Sequence, residues 1–375
     1  MLEGGRGRPV TPGTIPVIRP SMPPRAEYQA LLPPLWETGI VTNGGPYVGR
    51  LEQRLERYLP ARHVVAVANG TLAIQLALRA VGGSKGVVIT TPFTFAATTT
   101  ALLWQGFSPR FVDIDRETFV LDAAQVADHL DPDVVGVLAV QVFGNVAGSP
   151  ELAALAKEHD RWMIFDSAHS FGTRASHGSL FDLGDASALS FHATKSFHTF
   201  EGGAVVTRHP RVARRVGALR NFGFEPSGEI HDPGINAKMT EPSAAMGLVN
   251  IRYVERWIRA RGDRVHLYRD LLSTVKGVEF QRLNSGRENF VYMPILLPSR
   301  RRRDHVHNYL YGNGIRTRDY FYPLTSRFAF MPKELRGKCP VAEEIASRVL
   351  CLPLYEQLPL REVENIVHFV RQALT

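Results

Sequence analysis

The chain has 375 residues, 44% hydrophobic and 21% charged, the balance of a globular protein with apolar surface for a large core and about two domains. No apolar run approaches the roughly 18 residues of a membrane span, and Cys339 and Cys351, the only cysteines, form no Cys-x-x-Cys pair, which argues against a zinc site or a disulfide scaffold. The net charge of +8 suits anionic small molecules as well as nucleic acid, but the one dense basic run, Arg300–Arg303, reads as the solvated face of a starting helix with no nucleic-acid motif beside it.

Residues 1–25 are rich in Gly, Pro and Arg. They lack the apolar stretch of a signal peptide, so a flexible leader and a cytoplasmic protein are expected. From about residue 50 to 210 helical and strand-like segments alternate. "LEQRLERYL" predicts a helix, "VVAVAN" a strand, "TLAIQLALRAV" a helix, "VVITTP" a strand and "TFAATTTALLWQG" a helix. "RFVDID", "VVGVLAV", "ELAALAKEHD" and "WMIFDSAH" continue the series. Short Val/Ile-rich strands between helices predict βαβ units and a mostly parallel sheet. Such sheets hold ligands beyond the carboxyl ends of their strands. The stretch from Ser243 to Leu272 predicts one long helix or two consecutive ones. Beyond it "VEFQRL", "NFVYMPILL", a helix from about Arg302 to Gly312 and a last helix near 360–374 suggest a smaller α+β domain. The expected division is 26–254 and 255–375.

Three segments at predicted strand ends carry chemistry. Asn69-Gly70-Thr71 opens a helix after a strand, which offers free N–H groups and a hydroxyl to an anion such as phosphate. Thr71 as a plain helix cap is the equal alternative. Asp166 ends a buried strand, where a carboxylate needs a cation or hydrogen-bond donors; it is either a turn residue or the partner of a protonated ring nitrogen. His169 follows within reach of the same ligand, or serves a structural role. Then comes "SFHATKSFHTFEGG". Ser190 lies near a strand end and Lys195 sits in the loop after it, among small and aromatic residues. Desolvation there lowers a lysine pKa and favours the neutral amine, the nucleophile of Schiff-base chemistry. A phosphate cradle, an aspartate for a pyridinium and an amine for an aldehyde are what pyridoxal phosphate requires.

With these motifs on view, the chain resembles the DegT/DnrJ/EryC1/StrS family of sugar aminotransferases from about residue 25 to its end. "TNGGPYVGRLEQRLERYL", "NGTLAIQLAL", "TTPFTFAAT", "VQVFGN", "DSAHSFG", "SFHATKSFHTFEGGAVVT", "RNFGF" and "GINAKMTEPSAAMGL" carry the likeness. It implies an α/β fold of the pyridoxal-phosphate fold type I, with a mostly parallel seven-stranded sheet flanked by helices. By the same resemblance Lys195 links the cofactor, Asp166 pairs with its ring nitrogen, and His169 lies beside the ring and its phenolic oxygen. Gly70, Thr71 and Ser190 hold the phosphate. Phe95 stacks on the ring, although composition alone reads it as a core aromatic. Asn236 reaches the phosphate of a neighbouring subunit, which implies a homodimer with shared active sites.

The implied reaction moves an amino group from L-glutamate, by way of pyridoxamine phosphate, to a nucleotide-linked keto sugar. "WETGIVTNGGP" with "ITTPFTFAAT" looks most like the enzymes that aminate C4 of dTDP-4-keto-6-deoxyhexoses. A 3-keto sugar or cyclitol aminotransferase is the nearest alternative. A sugar dehydratase, in which histidine typically replaces the lysine, and a non-catalytic regulator are the others. Ala237 and Tyr355 stand where the family often has an aromatic and a histidine, and both are expected on the substrate side. Arg318–Leu324 matches a segment that often lines the sugar or donor pocket. No metal, nucleic acid or membrane partner is implied.

Overall fold

The computed structural model describes residues 13–176, 179–283 and 286–375. Seven strands make one sheet: β1 (His63–Val67), β2 (Gly86–Thr90), β3 (Phe107–Phe111), β4 (Val134–Val140), β5 (Trp162–Asp166), β6 (Ala186–Ser190) and β7 (Gly203–Thr207). Their spatial order is β1-β7-β6-β5-β4-β2-β3. The pairs from β6 across to β3 are parallel, and β7 alone runs against its neighbours. The mostly parallel sheet expected from the alternating pattern is therefore present, with the seven strands that the resemblance implies. Its central strand β4 reads as a continuous apolar run because helices cover both faces, whereas β3, at the edge, has Ser108 exposed.

On one face the helix Gly70–Val81 buries Ala73, Ile74, Leu76, Ala77 and Leu78 against Ala186, Ala188 and Val205 of the sheet. Each fully buried Leu or Ile there stabilises by about 1.5–3 kcal/mol. On the other face the helix Pro46–Tyr58 seats Leu51 and Leu55 among Leu189, Phe191 and Val206.

A second, antiparallel sheet pairs β8 (Met293–Leu296) with β9 (Val349–Leu352). The helices Val254–Leu272, Arg300–Gly312 and Leu360–Leu374 pack around it with their own core. The stretch from Ser243 to Leu272 lies in two helices, Glu241–Asn250 and Val254–Leu272. "VEFQRL" forms no strand, only an isolated bridge from Glu279 to Leu296. The strand expected at "RFVDID" starts earlier, at Phe107. Asp113, just past β3, is buried and accepts from the N–H groups of Val341 and Ala342, both at 2.8 Å. It thereby caps the helix Pro340–Arg348 and ties the small sheet's surroundings to the large sheet.

Two expectations change. Residues 13–24 are not a free leader. Ile15 exchanges backbone bonds with Gly314 and Arg316, Leu354 N–H donates to Val17, and His198 Nε2 meets the Ser21 carbonyl at 2.6 Å. An extended segment with paired backbone groups is held in place; residues 1–12 lie outside the described residues. The basic run is not uniformly solvated either. Arg303 is buried and pairs with Asp304 at 2.8 Å and Asp319 at 3.3 Å, because its helical position turns it inward while Arg300, Arg301 and Arg302 stay exposed. No described helix is long and apolar enough to cross a membrane.

One buried carboxylate ties two helices of the larger region together. Glu241, 0% exposed, accepts from the N–H groups of Tyr47 at 2.7 Å and Val48 at 3.0 Å. These are unpaired donors of the first turn of Pro46–Tyr58, whose cap residue Gly45 has no side chain to offer. Glu241→Ala should lower stability by about 2–5 kcal/mol, since two buried donors lose their acceptor. Glu241→Gln, which keeps one acceptor, should lose about half as much. Urea unfolding at constant m-value checks both, and an unchanged midpoint for Glu241→Ala refutes the capping role.

Candidate active site

The carboxyl ends of the parallel strands converge on one edge of the large sheet. Asn69-Gly70-Thr71 lies beyond β1, Phe95 beyond β2, Gln141–Phe143 beyond β4, Asp166 at the end of β5 and Ser190 at the end of β6.

Asp166 is buried and held from two sides. Its Oδ2 accepts from the Thr98 hydroxyl at 2.6 Å and its Oδ1 from the Ala168 N–H at 3.1 Å. Thr98 shares a further hydroxyl contact with Thr94 at 2.7 Å. Burial raises the Asp166 pKa, against the opposing pull of Thr98, the Ala168 N–H and the Lys195 charge. The carboxylate is oriented by neutral donors and retains lone pairs for one more.

Lys195 sits in the loop after β6, which its own N–H closes onto the His192 carbonyl at 2.9 Å. Its Nζ lies 5.8 Å from the centre of the Tyr292 ring. Burial lowers the Lys195 pKa from 10.5 to about 8. The Arg318 charge pushes the same way and Asp166 opposes it. At pH 7 a group of pKa 8 is roughly one-tenth free amine, hundreds of times more than at 10.5. The loop returns through Glu201-Gly202-Gly203. A Cβ at Gly203 would lie 2.6 Å from the Asn69 carbonyl carbon, so glycine lets β7 begin directly under the β1 turn.

His169 is buried in an aromatic stack. Phe143 lies parallel at 6.2 Å between centres, Phe321 parallel at 6.0 Å, and the Tyr292 edge at 4.9 Å. The Phe143 N–H donates to Nδ1 at 3.1 Å, so the proton of the neutral ring is on Nε2. Burial and the nearby Lys195 charge hold its pKa well below the usual range, so the ring is a neutral donor. Asn289 Nδ2 donates to the carbonyls of His169 at 2.6 Å and Phe171 at 3.0 Å, fixing this segment.

Gly70 and Ser190 meet directly: a Cβ at Gly70 would lie 2.8 Å from Ser190 Cβ. Asn69, not Thr71, caps the helix, accepting from Leu72 N–H at 2.9 Å. The Thr71 hydroxyl is thereby left exposed at the helix start. Phe95 is 56% exposed at the head of the helix Ala96–Trp104, so the reading as a core aromatic fails. Asn236 is exposed on the segment from Asn221 to Lys238 and makes no hydrogen bond to the other candidates. Ala237 and Tyr355, expected on the substrate side, are both buried. Ala237 is fully enclosed in the core of the large sheet, and Tyr355 packs against the core of the smaller one with 7% of its surface exposed.

Thr98, Tyr292, Phe143 and Asn289 complete the site without having been singled out in the sequence, together with Phe321 from the segment Arg318–Leu324. Among the described residues no cluster of His, Cys, Asp and Glu could hold a metal ion.

Comparison with known proteins agrees with this geometry. Residues 25–371 match the DegT/DnrJ/EryC1/StrS aminotransferase family. The chain is 37% identical over 363 residues, 95% of this chain and 98% of the other, to dTDP-4-amino-4,6-dideoxy-D-glucose transaminase of Shigella dysenteriae. The solved structure of DesI in the presence of its TDP-sugar product superposes with a TM-score of 0.90 at 34% identity, over 98% of this chain and 94% of that one. NtdA from Bacillus subtilis, solved with bound cofactor PMP, gives a TM-score of 0.86 at 26% identity, over 93% and 81%.

Proposed function

The chain belongs to the DegT/DnrJ/EryC1/StrS aminotransferase family and is a pyridoxal-phosphate-dependent sugar aminotransferase; from that premise we propose that it moves an amino group from L-glutamate to C4 of a dTDP-linked 4-keto-6-deoxyhexose. The near-full-length likeness to the Shigella transaminase carries the choice of sugar and carbon. Lysine at position 195 favours transfer over dehydration, because a histidine there could not form the same link.

The residues present fit the cofactor. Asp166 is a buried carboxylate with only neutral donors in contact, and a protonated ring nitrogen would neutralise it. The space beside Ser190 that a Cβ at Gly70 would fill, the exposed Thr71 hydroxyl and the helix N-terminus suit a phosphate. Phe95 offers an exposed ring face.

When bound, pyridoxal phosphate supplies an aldehyde for amines and a ring that accepts electrons. Lys195 would anchor it, then hold and return the proton that moves at the reacting carbon, for which a pKa near 8 serves both directions at neutral pH. Asp166 would keep the ring nitrogen protonated, with Thr98 and the Ala168 N–H orienting the carboxylate. His169 would offer its Nε2 proton to the phenolic oxygen. The net positive charge would favour the approach of a nucleotide sugar.

A homodimer forms part of this reading. Phe222, Phe224, Ile230 and Ile235 are exposed on the segment that carries Asn236, and Trp36, Ile40 and Val41 are exposed near the start of the chain. A second copy would cover such surface and could take Asn236 to its phosphate. Residues 26–254 would form the cofactor-binding domain and 255–375 the smaller one, in a cytoplasmic enzyme. Incubation of the holoenzyme with L-glutamate and dTDP-4-keto-6-deoxy-D-glucose tests the proposal. Mass spectrometry and NMR should show a 4-amino sugar; amination only of a 3-keto sugar or a cyclitol would overturn the assignment.

A further inference from the structure

His198 lies on the same loop as Lys195, three residues further on, and has no task in the mechanism above. It is fully buried, and both ring nitrogens are engaged. Nε2 meets the Ser21 carbonyl at 2.6 Å, and Nδ1 accepts from the Phe200 N–H at 3.2 Å. A carbonyl only accepts, so the ring is neutral with its proton on Nε2. Burial, which lowers its pKa, keeps it so. Asn250 adds a further hold, its Nδ2 donating to the His198 carbonyl at 2.8 Å.

The acceptor, Ser21, belongs to the N-terminal segment that Gly314, Arg316 and Leu354 bind to the smaller region through Ile15 and Val17. Ser21 joins both regions. Its carbonyl takes the His198 proton, while its hydroxyl donates to Glu356 Oε2 at 2.6 Å and accepts from Arg261 Nη1 at 3.5 Å. Arg261 is 5% exposed; its Nε and Nη2, and Glu356 Oε1, have no hydrogen-bond partner among the described residues. A buried guanidinium and a carboxylate thus meet through one serine hydroxyl, and displacing that serine would leave still more of their polar atoms unpaired. The segment is anchored where His198 grips it. At its base the lysine loop is closed by the Thr199 N–H on the Phe191 carbonyl at 3.0 Å. Phe197 packs against Phe171 and Phe191, but apolar packing is non-directional. The bond from the His198 ring has a direction and sets how the loop is turned.

We propose that His198 is a positioning residue for Lys195: through its ring the N-terminal segment 13–24 fixes the loop that presents the amine to the cofactor. This inference rests on the reading that Lys195 is the amine that takes up pyridoxal phosphate. A loop held in one place keeps Nζ desolvated. A loosened loop lets water reach it, and the amine's pKa rises from about 8 back toward 10.5. Asp166, His169 and Arg318, which interact electrostatically with Lys195, stay unchanged in the variants below, so a shift reports the loop.

The test compares the full-length wild type with His198→Phe, which keeps a ring but neither hydrogen bond, and with His198→Gln, which keeps a donor for Ser21. The rate of pyridoxal phosphate capture by apoprotein is followed across pH. Its midpoint should move up by about one pH unit in His198→Phe and by less in His198→Gln. The same sign is required of both, so the proposal stays open to refutation even where the phenylalanine variant does not fold. In holoenzyme, kcat at pH 7 should fall about 10-fold in His198→Phe with KM within about twofold. Amide hydrogen exchange of residues 13–24 should accelerate by about 10-fold or more. Unchanged exchange would mean that His198 does not hold the segment. Faster exchange with a lowered thermal midpoint and an unshifted capture midpoint would mean a structural role alone. Either result overturns the proposal. Failure of the underlying reading is told apart from these because it shows in wild type: a borohydride label away from residue 195 would remove the lysine's role, and the proposal with it, whatever the exchange rates.

Discussion

Lys195→Ala should yield a folded protein whose transamination falls by about 10,000-fold or more, because one residue supplies both the anchor for the cofactor and the proton carrier. Lys195→Arg should be as inactive. It keeps the positive charge beside Asp166, but a guanidinium does not deprotonate in proteins and cannot act as the amine. The pair of variants thus separates charge from chemistry. In wild-type apoprotein the rate of pyridoxal phosphate capture, followed by visible absorption, should climb with pH through about 8 and level off above it, since the folded pKa is lowered from 10.5 to about 8. An ordinary surface lysine would still be gaining free amine beyond pH 10. Borohydride trapping and peptide mapping should place the label on residue 195. A label elsewhere, or substantial turnover by Lys195→Arg, would remove the basis of the mechanism.

The parts of the site readable in the sequence are those where one short segment contains the whole physical signal. A lysine among small and aromatic residues, an aspartate ending an apolar strand, and Asn-Gly-Thr opening a helix each state their chemistry locally. What supports them does not. Thr98 is one of four threonines in "TFAATTT", and only the fold places its hydroxyl 2.6 Å from a carboxylate in β5. Tyr292 and Phe321 come from the smaller region and meet His169 only because that region packs on the edge of the large sheet. Composition misreads Phe95 as core because an apolar helix start has the same signature whether it faces a core or a ligand. The N-terminal segment misleads for the opposite reason. Gly, Pro and Arg predict no regular structure, yet an extended chain needs only unpaired backbone groups nearby to be held, and Gly314, Arg316 and Leu354 provide them.

Asp166→Asn should separate catalysis from stability. The amide can still accept from the Ala168 N–H, and the Thr98 hydroxyl can turn to accept from the amide and donate to Thr94, so both present donors keep a partner. Turnover should nevertheless fall by about 100- to 10,000-fold, because a neutral amide does not keep the ring nitrogen protonated. Stability of the apoprotein should move the other way. Burial raises the folded-state pKa of Asp166 above its unfolded value. Folding therefore favours the protonated acid, and this contribution is fully present below the unfolded pKa and lost as pH rises through the folded one. Near pH 8 the wild-type apoprotein bears the cost of a buried charge that Asp166→Asn does not. The variant's thermal midpoint should equal or exceed that of wild type there, and the difference should shrink as pH falls toward 4. Adding pyridoxal phosphate should reverse the order, since a protonated ring nitrogen neutralises the carboxylate and only the wild type gains from that pairing. Midpoints measured across pH with and without cofactor check each step. An apo Asp166→Asn protein clearly less stable than wild type at pH 8 would mean that the carboxylate is held chiefly for the fold, and its assignment as the cofactor's partner would lose its physical ground.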